Sequence, residues 1–369
     1  MVGSTRQLSG VDDVGAPALS VFAKRRYRWT QSGLSDPEDV GLTVAPIASA
    51  QHPELLAADS DLYPFKPTTD VVVSGAAYPP YSCREFEARV RVGATEKCIL
   101  VLGQRKLLKN GAFGEARPAE PTLLSYALAF GGTDSAFLGK QGHPLESLRS
   151  SLERRELLDA NPFAYPRNPC GVGFAMTNTV TEGADELPRL EDPADRLTPD
   201  RRVAGPEFRW AGLPVPAGVG WSGLMWFPRC VFFGIVMEVP DLEASAEVRL
   251  GVLAKETLAG APRFSAQDVR HACGASAGLS VKALMGGEAV ALSNLSPSDS
   301  MREFVVPAPP TRLRIDGRKA GLLDVQPILS TLLIEPEVGT VTVVWRGTGR
   351  ALRFYTDEEL LTMPYEVVW

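Results

Sequence analysis

The feature of this 369-residue chain that most limits its possible folds is a strict alternation of charged and apolar residues from Glu85 to Val92. Phe86 and Val90 share one face of the segment with other apolar residues, and glutamates and arginines share the opposite face. This pattern is typical of an antiparallel strand that packs on a core and exposes its other face to solvent. The run KCILVLG, Lys97 to Gly103, follows a short turn and is predicted to be its hairpin partner.

Strand patterns recur along the chain, whereas helical periodicity is rare. A helix is predicted from Pro144 to Pro162, and a single capped turn from Thr356 to Leu361, with Glu359 three residues after the Thr356 N-cap. We therefore predict a mainly β fold of two packed β-sandwich-like units, with long Pro/Gly-rich loops and few short helices. The further predicted strands are Val71–Val73, Leu123–Phe130, Val231–Met237, Glu247–Val252, Val290–Leu292, Phe304–Val306, Leu313–Ile315, Leu332–Ile334 and Thr340–Trp345.

The length exceeds that of a typical single domain, so more than one β unit is expected. Thirty prolines and 34 glycines punctuate the chain, most densely between Asn161 and Gly223. We predict an N-terminal arm with the first strands over residues 1–65, a first β unit with the irregular loops over 66–228, and a second β unit over 229–369. Long irregular loops inside compact domains are uncommon and are usually functional.

Charge and hydropathy exclude two classes of partner. The net charge of −6 argues against nucleic-acid binding, and the one dense basic cluster, Lys24 to Arg28, is predicted to be a solvated strand or arm. The N-terminal residues contain no apolar secretory segment, and the longest apolar run, Cys230 to Met237, is too short to span a bilayer. We therefore expect a cytoplasmic protein without a membrane or nucleic-acid partner.

The cysteines and histidines form no pattern that predicts a metal site, a cofactor or an enzyme. The five cysteines include no CxxC pair, and a turn from Gly93 to Glu96 would place Cys98 opposite Arg91, away from the other cysteines. A nucleophile–base pair would have to recruit one of three histidines, for example Cys170 with His143. A glycine-flanked cysteine after proline is more often a packed residue, so we favour a non-enzymatic protein and keep a hydrolase as an alternative.

The stretch AFGGTDSAFLGKQ resembles a phosphate-binding loop but fails its spacing. Six residues separate Gly132 from Gly139, where a phosphate loop has four, and Gln141 replaces the hydroxyl residue that would bind Mg²⁺. We interpret Gly131 and Gly132 as a turn that ends a strand, in which Asp134 can cap the turned backbone.

The stretch YPRNPCGVGF is predicted to be a second structural turn. The dipeptide Asn168-Pro169 favours an extended turn, and Gly171 and Gly173 allow another segment of backbone to approach closely.

Tryptophans are concentrated in the glycine- and proline-rich segment that follows. Trp210, Trp221 and Trp226 lie in loop-like sequence, where large aromatic side chains either pin a loop to the core or anchor a partner protein. Both alternatives remain open, and Arg229 could add a charged donor at the edge of a partner-binding surface. If the tryptophans pin the loop, the binding surface is expected at the acidic Glu182–Asp195 loop.

Taken in order, several segments resemble a bacterial family catalogued as a domain of unknown function and encoded in type VI secretion loci. The resemblance implies a non-enzymatic adaptor or chaperone that binds a secreted effector and helps load it onto the PAAR/VgrG spike. A structural baseplate or spike-associated component is the alternative within the same system. The chain departs from the family pattern at Gln104, where an acidic residue is more common, and over Arg263–Gly278. The segments are FKPTTDVVVSGAAY, ARVRVG with KCILVLGQR, LAFGGTD, YPRNPCGVGF, PAGVGWSGLMWFPR, GLSVKALMGGEAVALSNLSP and LLIEPEVGTVTVVWRG.

Overall fold

A computed structural model describes residues 3–11, 16–30, 33–50, 55–63, 66, 68–132, 165, 168, 170–175, 186–203, 213–221, 279, 283–318 and 321–369. The fold is mainly β, as predicted. These residues contain one α-helix, α1 (Asp357–Thr362), and two 3₁₀ turns, Tyr126–Leu128 and Asp200–Arg202. The strands are β1 (Thr5–Val11), β2 (Pro17–Thr30), β3 (Gly33–Leu34), β4 (Glu38–Asp39), β5 (Ile47–Ala48), β6 (Leu56–Ala58), β7 (Asp70–Val73), β8 (Ala76–Ala77), β9 (Glu85–Val92), β10 (Thr95–Leu102), β11 (Thr122–Leu123), β12 (Phe130–Gly131), β13 (Val172–Gly173), β14 (Leu190–Glu191), β15 (Ala289–Ser293), β16 (Met301–Val305), β17 (Arg312–Asp316), β18 (Leu322–Val325), β19 (Pro327–Glu335), β20 (Thr340–Arg350) and β21 (Glu366–Val368).

The larger sheet has seven strands and is built around two long antiparallel strands, β2 and β20. Its main order is β1-β2-β20-β19-β7, and the short strands β3 and β4 also pair with β2. The strand β7 runs parallel to β19, so the chain must cross over between them. Consecutive residues of β20 are buried from Thr340 to Gly347, which explains why VTVVW is nearly continuously apolar rather than alternating.

The second sheet has five strands in the order β14-β10-β9-β15-β16. Its strand β9 has the predicted alternation, since Phe86 and Val90 are buried and the charged residues lie on the other face. The predicted hairpin register was wrong by two residues, because Cys98 lies opposite Arg89 rather than Arg91. The turn is shorter than expected, since Gly93 has a positive φ of 58° and allows a two-residue connection.

The main core lies between the inner faces of the two sheets. A single cluster joins Val71, Ile334 and Trp345 of the seven-stranded sheet to Val90 and Ile99 of the five-stranded sheet. The arrangement is a β sandwich in which each sheet buries the apolar face of the other.

The divisions predicted at residues 65/66 and 228/229 stay predictions, and strand pairing runs across both of them. The seven-stranded sheet combines β1 and β2 with β7 and with β19 and β20, so it draws on all three predicted ranges. The five-stranded sheet pairs β9 with β15. The amino-acid composition indicates where the long loops lie. Pairing between residues far apart in the sequence decides which strands share a sheet.

Two local predictions have different outcomes. The segment Leu123–Phe130 is not one strand, because the Ser125 hydroxyl accepts a hydrogen bond from the Ala127 N–H and starts a 3₁₀ turn between β11 and β12. The capped turn at Thr356 is confirmed as α1, and Glu359 completes the capping box. The predicted helix at residues 144–162 and the predicted strands at 231–237 and 247–252 lie outside the described residues.

The basic cluster at Lys24–Arg28, predicted to be a solvated strand or arm, lies within β2, where Lys24 to Tyr27 are half-buried and Arg28 is exposed. Lys24 pairs with Asp61 at 2.8 Å and Arg25 pairs with Asp39 at 3.0 Å, so neighbouring carboxylates balance much of this positive charge. Within the described ranges, no helix has the length and apolar character that crossing a membrane would require.

Candidate functional site

The two glycine-rich motifs meet in space. Strands β12 and β13 form a short parallel ladder in which Gly131 lies opposite Gly173. The Phe174 N–H donates to the Gly131 carbonyl at 2.9 Å, and the Val172 N–H donates to the Ala129 carbonyl at 3.0 Å. We call this contact of residues 129–132 with residues 168 and 170–174 the junction.

The junction requires glycine because two backbones are in direct contact. Gly132 has a φ of +94°, and a Cβ atom there would lie 2.3 Å from the carbonyl oxygen of Gly171. A Cβ atom on Gly131 would lie 2.1 Å from the carbonyl oxygen of Asn168. No side chain fits at such distances, so these glycines have a packing role. Asp134 and Pro169, which were predicted to belong to the same turns, lie outside the described residues.

Asn168 supplies the polar contacts at the centre of the junction. Its side chain is fully buried, and Nδ2 donates to the carbonyls of Tyr126 at 2.7 Å and Phe130 at 3.0 Å. These carbonyls belong to irregular backbone around the 3₁₀ turn, where a buried acceptor without a partner would be costly. The Cys170 thiol donates to Asn168 Oδ1 at 3.2 Å. The possible base His143 lies outside the described residues, so the hydrolase alternative remains untested.

An aromatic cluster lies behind the junction. The rings of Phe130, Tyr165 and Phe174 pack with centroid distances of 5.2 to 6.5 Å, and Leu187, Leu197 and Leu213 complete a separate small core. The Tyr165 hydroxyl donates to the Pro214 carbonyl at 3.1 Å, which ties the cluster to the tryptophan-rich segment.

The described part of that segment, residues 213–221, is a mostly buried strap rather than an exposed loop. The Val73 N–H of β7 donates to the Val219 carbonyl at 2.7 Å, so the strap covers the outer edge of the seven-stranded sheet. The Leu124 carbonyl accepts from the Val219 and Gly220 N–H groups at 3.4 and 3.3 Å. The backbone of the strap is therefore hydrogen-bonded on one side to β7 and on the other to Leu124.

Lys97 holds the strap from inside the sandwich. Its ammonium group is buried and donates to the Gly218 carbonyl at 2.9 Å. Burial lowers the pKa of Lys97 to about 8, although the charge of Asp192 partly opposes this shift. Lys97 is not among the residues predicted from the sequence to form a site, yet it shares the core-facing side of KCILVLG with Ile99 and Val101. The sequence signal that could have identified it is a lysine in register with the core-facing residues of a predicted strand, since lysine is rarely buried.

Trp221 lies at the end of the strap on the outer face of the seven-stranded sheet. Its ring is 8% exposed and packs with Leu56, Val72 and Leu333. This is the environment expected if the tryptophan pins the segment to the core. The positions predicted to share a partner-binding surface with it, Trp210, Trp226 and Arg229, lie outside the described residues, so partner binding by this segment remains a prediction.

The described part of the acidic 182–195 loop serves packing as well. Glu191 is buried and forms an ion pair with Arg105, and it also accepts the Leu197 N–H at 3.3 Å. Asp195 accepts the Val215 N–H of the strap at 3.0 Å. These two carboxylates are therefore bound to other groups of the chain.

A pocket of about 260 Å³ opens beside the junction. Binding sites for small molecules are commonly 300–1,000 Å³, so this pocket lies just below that range. Arg189 lines it and donates to the Thr122 hydroxyl at 2.6 Å, and the exposed Arg117 also lines it. The full lining is Gln104, Arg117, Pro118, Glu120, Leu128, Val172, Glu186, Leu187 and Arg189.

Comparison with protein families gives one match. The model of a family described as "Uncharacterized protein conserved in bacteria (DUF2169)" covers residues 14–346, so the chain belongs to this family. Searches of curated proteins and of solved structures gave no match.

Proposed function

We propose that the protein is a non-enzymatic adaptor or chaperone that binds a type VI secretion effector and helps load it onto the PAAR/VgrG spike. The proposal is supported by the order of the segments that resemble such adaptors. The family match over residues 14–346 contains nearly all of these segments.

The observation that carries the proposal is that these segments contact one another. Lys97 of KCILVLGQR bonds to Gly218 of PAGVGW, and Val73 of DVVVSGAAY bonds to Val219 of the same strap. Asn168 of YPRNPCGVGF bonds to the Phe130 carbonyl of LAFGGTD. The resemblance is therefore concentrated in one connected framework, as expected if the chain shares the scaffold of these adaptors.

The genetic test is an in-frame deletion of the gene, with a plasmid copy as the control. We expect delivery of one effector encoded nearby to stop, while contraction of the secretion sheath continues. Loss of contraction would instead favour a structural baseplate or spike-associated component. Unchanged delivery of every effector would contradict both.

The binding test measures association of the purified protein with the effector encoded beside it. If Trp226 anchors the partner, Trp226→Ala should weaken binding by about 2 kcal/mol and leave the melting temperature unchanged. The matched variant Trp221→Ala should instead destabilise the fold by about 3–5 kcal/mol, because it empties a buried site. Wild-type affinity in a well-folded Trp226→Ala protein would move the binding surface away from this segment.

A further inference from the structure

The five-stranded sheet ends in strand β16, which also approaches β3 of the seven-stranded sheet. Strand β16 pairs with β15 through five residues, from Met301 opposite Ser293 to Val305 opposite Ala289. Within the part of the chain that the structure describes, no strand pairs with the other side of β16. At the corresponding edge of the seven-stranded sheet, the strap covers β7.

The ladder determines which backbone groups of β16 face outward. The Asn294 N–H donates to the Ser300 carbonyl at 2.9 Å, and the Val306 N–H donates to the Glu288 carbonyl at 2.8 Å. Because alternate residues of an antiparallel strand face the same neighbour, the even-numbered residues between them face β15. The N–H and C=O groups of Met301, Glu303 and Val305 therefore point away from the sheet.

The side chains of β16 divide in the same way. Phe304 is buried, and the Arg302 guanidinium lies 4.8 Å above the Trp29 ring. Met301 and Val305 are 63% and 56% exposed, and Glu303 lies exposed between them. The residues with outward backbone groups thus also present an apolar–acidic–apolar row.

We propose that β16 is a docking edge for an extended segment of a partner protein, which adds to the sheet as a sixth strand. Outward N–H and C=O groups provide the main-chain hydrogen bonds of such an addition, and the exposed row selects the sequence. The segment carries apolar residues beside Met301 and Val305 and a lysine or arginine beside Glu303. This proposal rests on the proposed function in one respect, that the protein acts by binding another protein.

Charge argues against a second copy of this chain as the occupant. Antiparallel self-pairing of β16 over its full length would centre on Glu303 and place two carboxylates directly opposite each other, which is destabilising. A basic residue in that position is attracted instead. An ion pair of Glu303 with Arg91 at 3.9 Å, between two exposed side chains, is too weak to cancel this preference.

The first measurement is amide hydrogen exchange in the free protein. We expect the N–H groups of Glu303 and Val305 to exchange rapidly, and those of Arg302 and Phe304 to be protected by β15. Protection of Glu303 and Val305 in the free monomer would show that the edge is already covered, and would overturn the proposal.

The second measurement uses a defined probe, the blocked peptide Thr-Val-Thr-Lys-Thr-Val-Thr, and the same peptide with Glu at its centre. Wild-type protein should bind the lysine peptide about fivefold more tightly, and Glu303→Lys should reverse that preference. Binding should protect the Glu303 and Val305 amides. Absence of binding, or equal binding of both peptides, would contradict the proposal.

A matched pair of variants separates the backbone from the side chain. Val305→Pro removes an outward N–H that β15 does not use, so binding of the lysine peptide should fall about tenfold or more. Val305→Thr keeps the N–H and should bind within about twofold of wild type. Equal affinity of the two variants would exclude strand addition, and a dimer dissolved by Val305→Pro would assign the edge to a second copy. The peptide result and the gene deletion are independent, so the failure of either proposal can be recognised separately.

Discussion

The junction has a sequence that looks functional but lies in the interior, whereas the β16 edge has no motif in its sequence but exposes hydrogen-bonding groups. The junction has glycines, an Asn-Pro pair and a cysteine, which look like the parts of a catalytic or phosphate-binding loop. The structure places its central side chain, Asn168, in the interior, bonded to the carbonyls of Tyr126 and Phe130. The edge strand MREFV matches no motif, yet three of its residues direct backbone groups outward.

This difference shows that a motif-like sequence can result from close packing. Glycines are required where backbones touch, and a buried asparagine is required where irregular backbone leaves carbonyls to satisfy. A surface that binds an extended segment needs only open hydrogen-bonding groups and a suitable row of side chains. Such a surface leaves a weak signal in a single sequence.

The largest effect is expected from filling the junction. Gly132→Ala should lower the free energy of unfolding by about 4 kcal/mol, because its Cβ meets the Gly171 carbonyl and its positive φ disfavours a side chain. Gly111→Ala is the matched control, since Gly111 has a φ of +81° and nothing within 4 Å of a Cβ atom. This control should lose only about 1 kcal/mol in urea denaturation. Equal losses would mean that backbone strain, rather than contact between the motifs, explains the need for glycine.

The next effect depends on pH and concerns the strap. Because burial lowers the pKa of Lys97 from 10.5 to about 8, the unfolded chain holds this proton more tightly than the native protein. Stability contributed by this group should therefore rise between pH 8 and 10.5 and stay constant below pH 8. A tenfold difference in proton affinity corresponds to about 1.4 kcal/mol, so the gain should approach 3 kcal/mol.

Lys97→Met isolates this contribution from the titration of other groups. The difference in unfolding free energy between wild type and Lys97→Met should change in favour of wild type as the pH rises through this range. A difference that stays constant from pH 7 to 10.5 would show that Lys97 titrates normally and that the strap opens readily to water.

Removal of the amide at the centre of the junction should have a smaller effect. Asn168→Ala takes away two donors and leaves two carbonyls without this partner, at a cost of about 2 kcal/mol. Asn110→Ala is the comparison, because Asn110 caps an exposed turn through the Ala112 N–H at 3.1 Å. Its cost should stay below about 1 kcal/mol. A larger cost at Asn110 would reverse the ranking of buried and exposed turns.

Local patterns predicted the elements whose causes are local. The alternation in β9 reflects one face in the core and one in solvent, and the capping box at Thr356 needs only neighbouring residues. The register of the β9–β10 hairpin was missed, because a positive φ at Gly93 allows a shorter turn than composition suggested. Which strands share a sheet could not be predicted locally, because pairs such as β7 with β19 join residues more than 250 positions apart, for example Thr331 and Asp70.

The candidate site was also predictable only in part, because it too depends on contacts between distant segments of the chain. The residues of each glycine motif were identified, but sequence spacing could not show that two motifs pack on each other. Lys97 was missed because its partner, the Gly218 carbonyl, lies on a distant segment. The burial of Trp221 could not be predicted from its own segment, because it depends on contacts with Leu56 and Val72, which belong to other strands.

The smallest effect on stability is expected at the β16 edge, and a large effect there would directly contradict the contrast with the junction. Met301→Ser and Val305→Thr change side chains that are 63% and 56% exposed, so each should alter the free energy of unfolding by less than about 0.5 kcal/mol. Phe304→Ala, at a buried position of the same strand, should cost about 3 kcal/mol and serves as the internal control. The urea midpoints of the three variants test this contrast directly. A loss of 2 kcal/mol or more at Met301 or Val305 would mean that another part of the protein packs on the edge, and strand addition would then have to displace it.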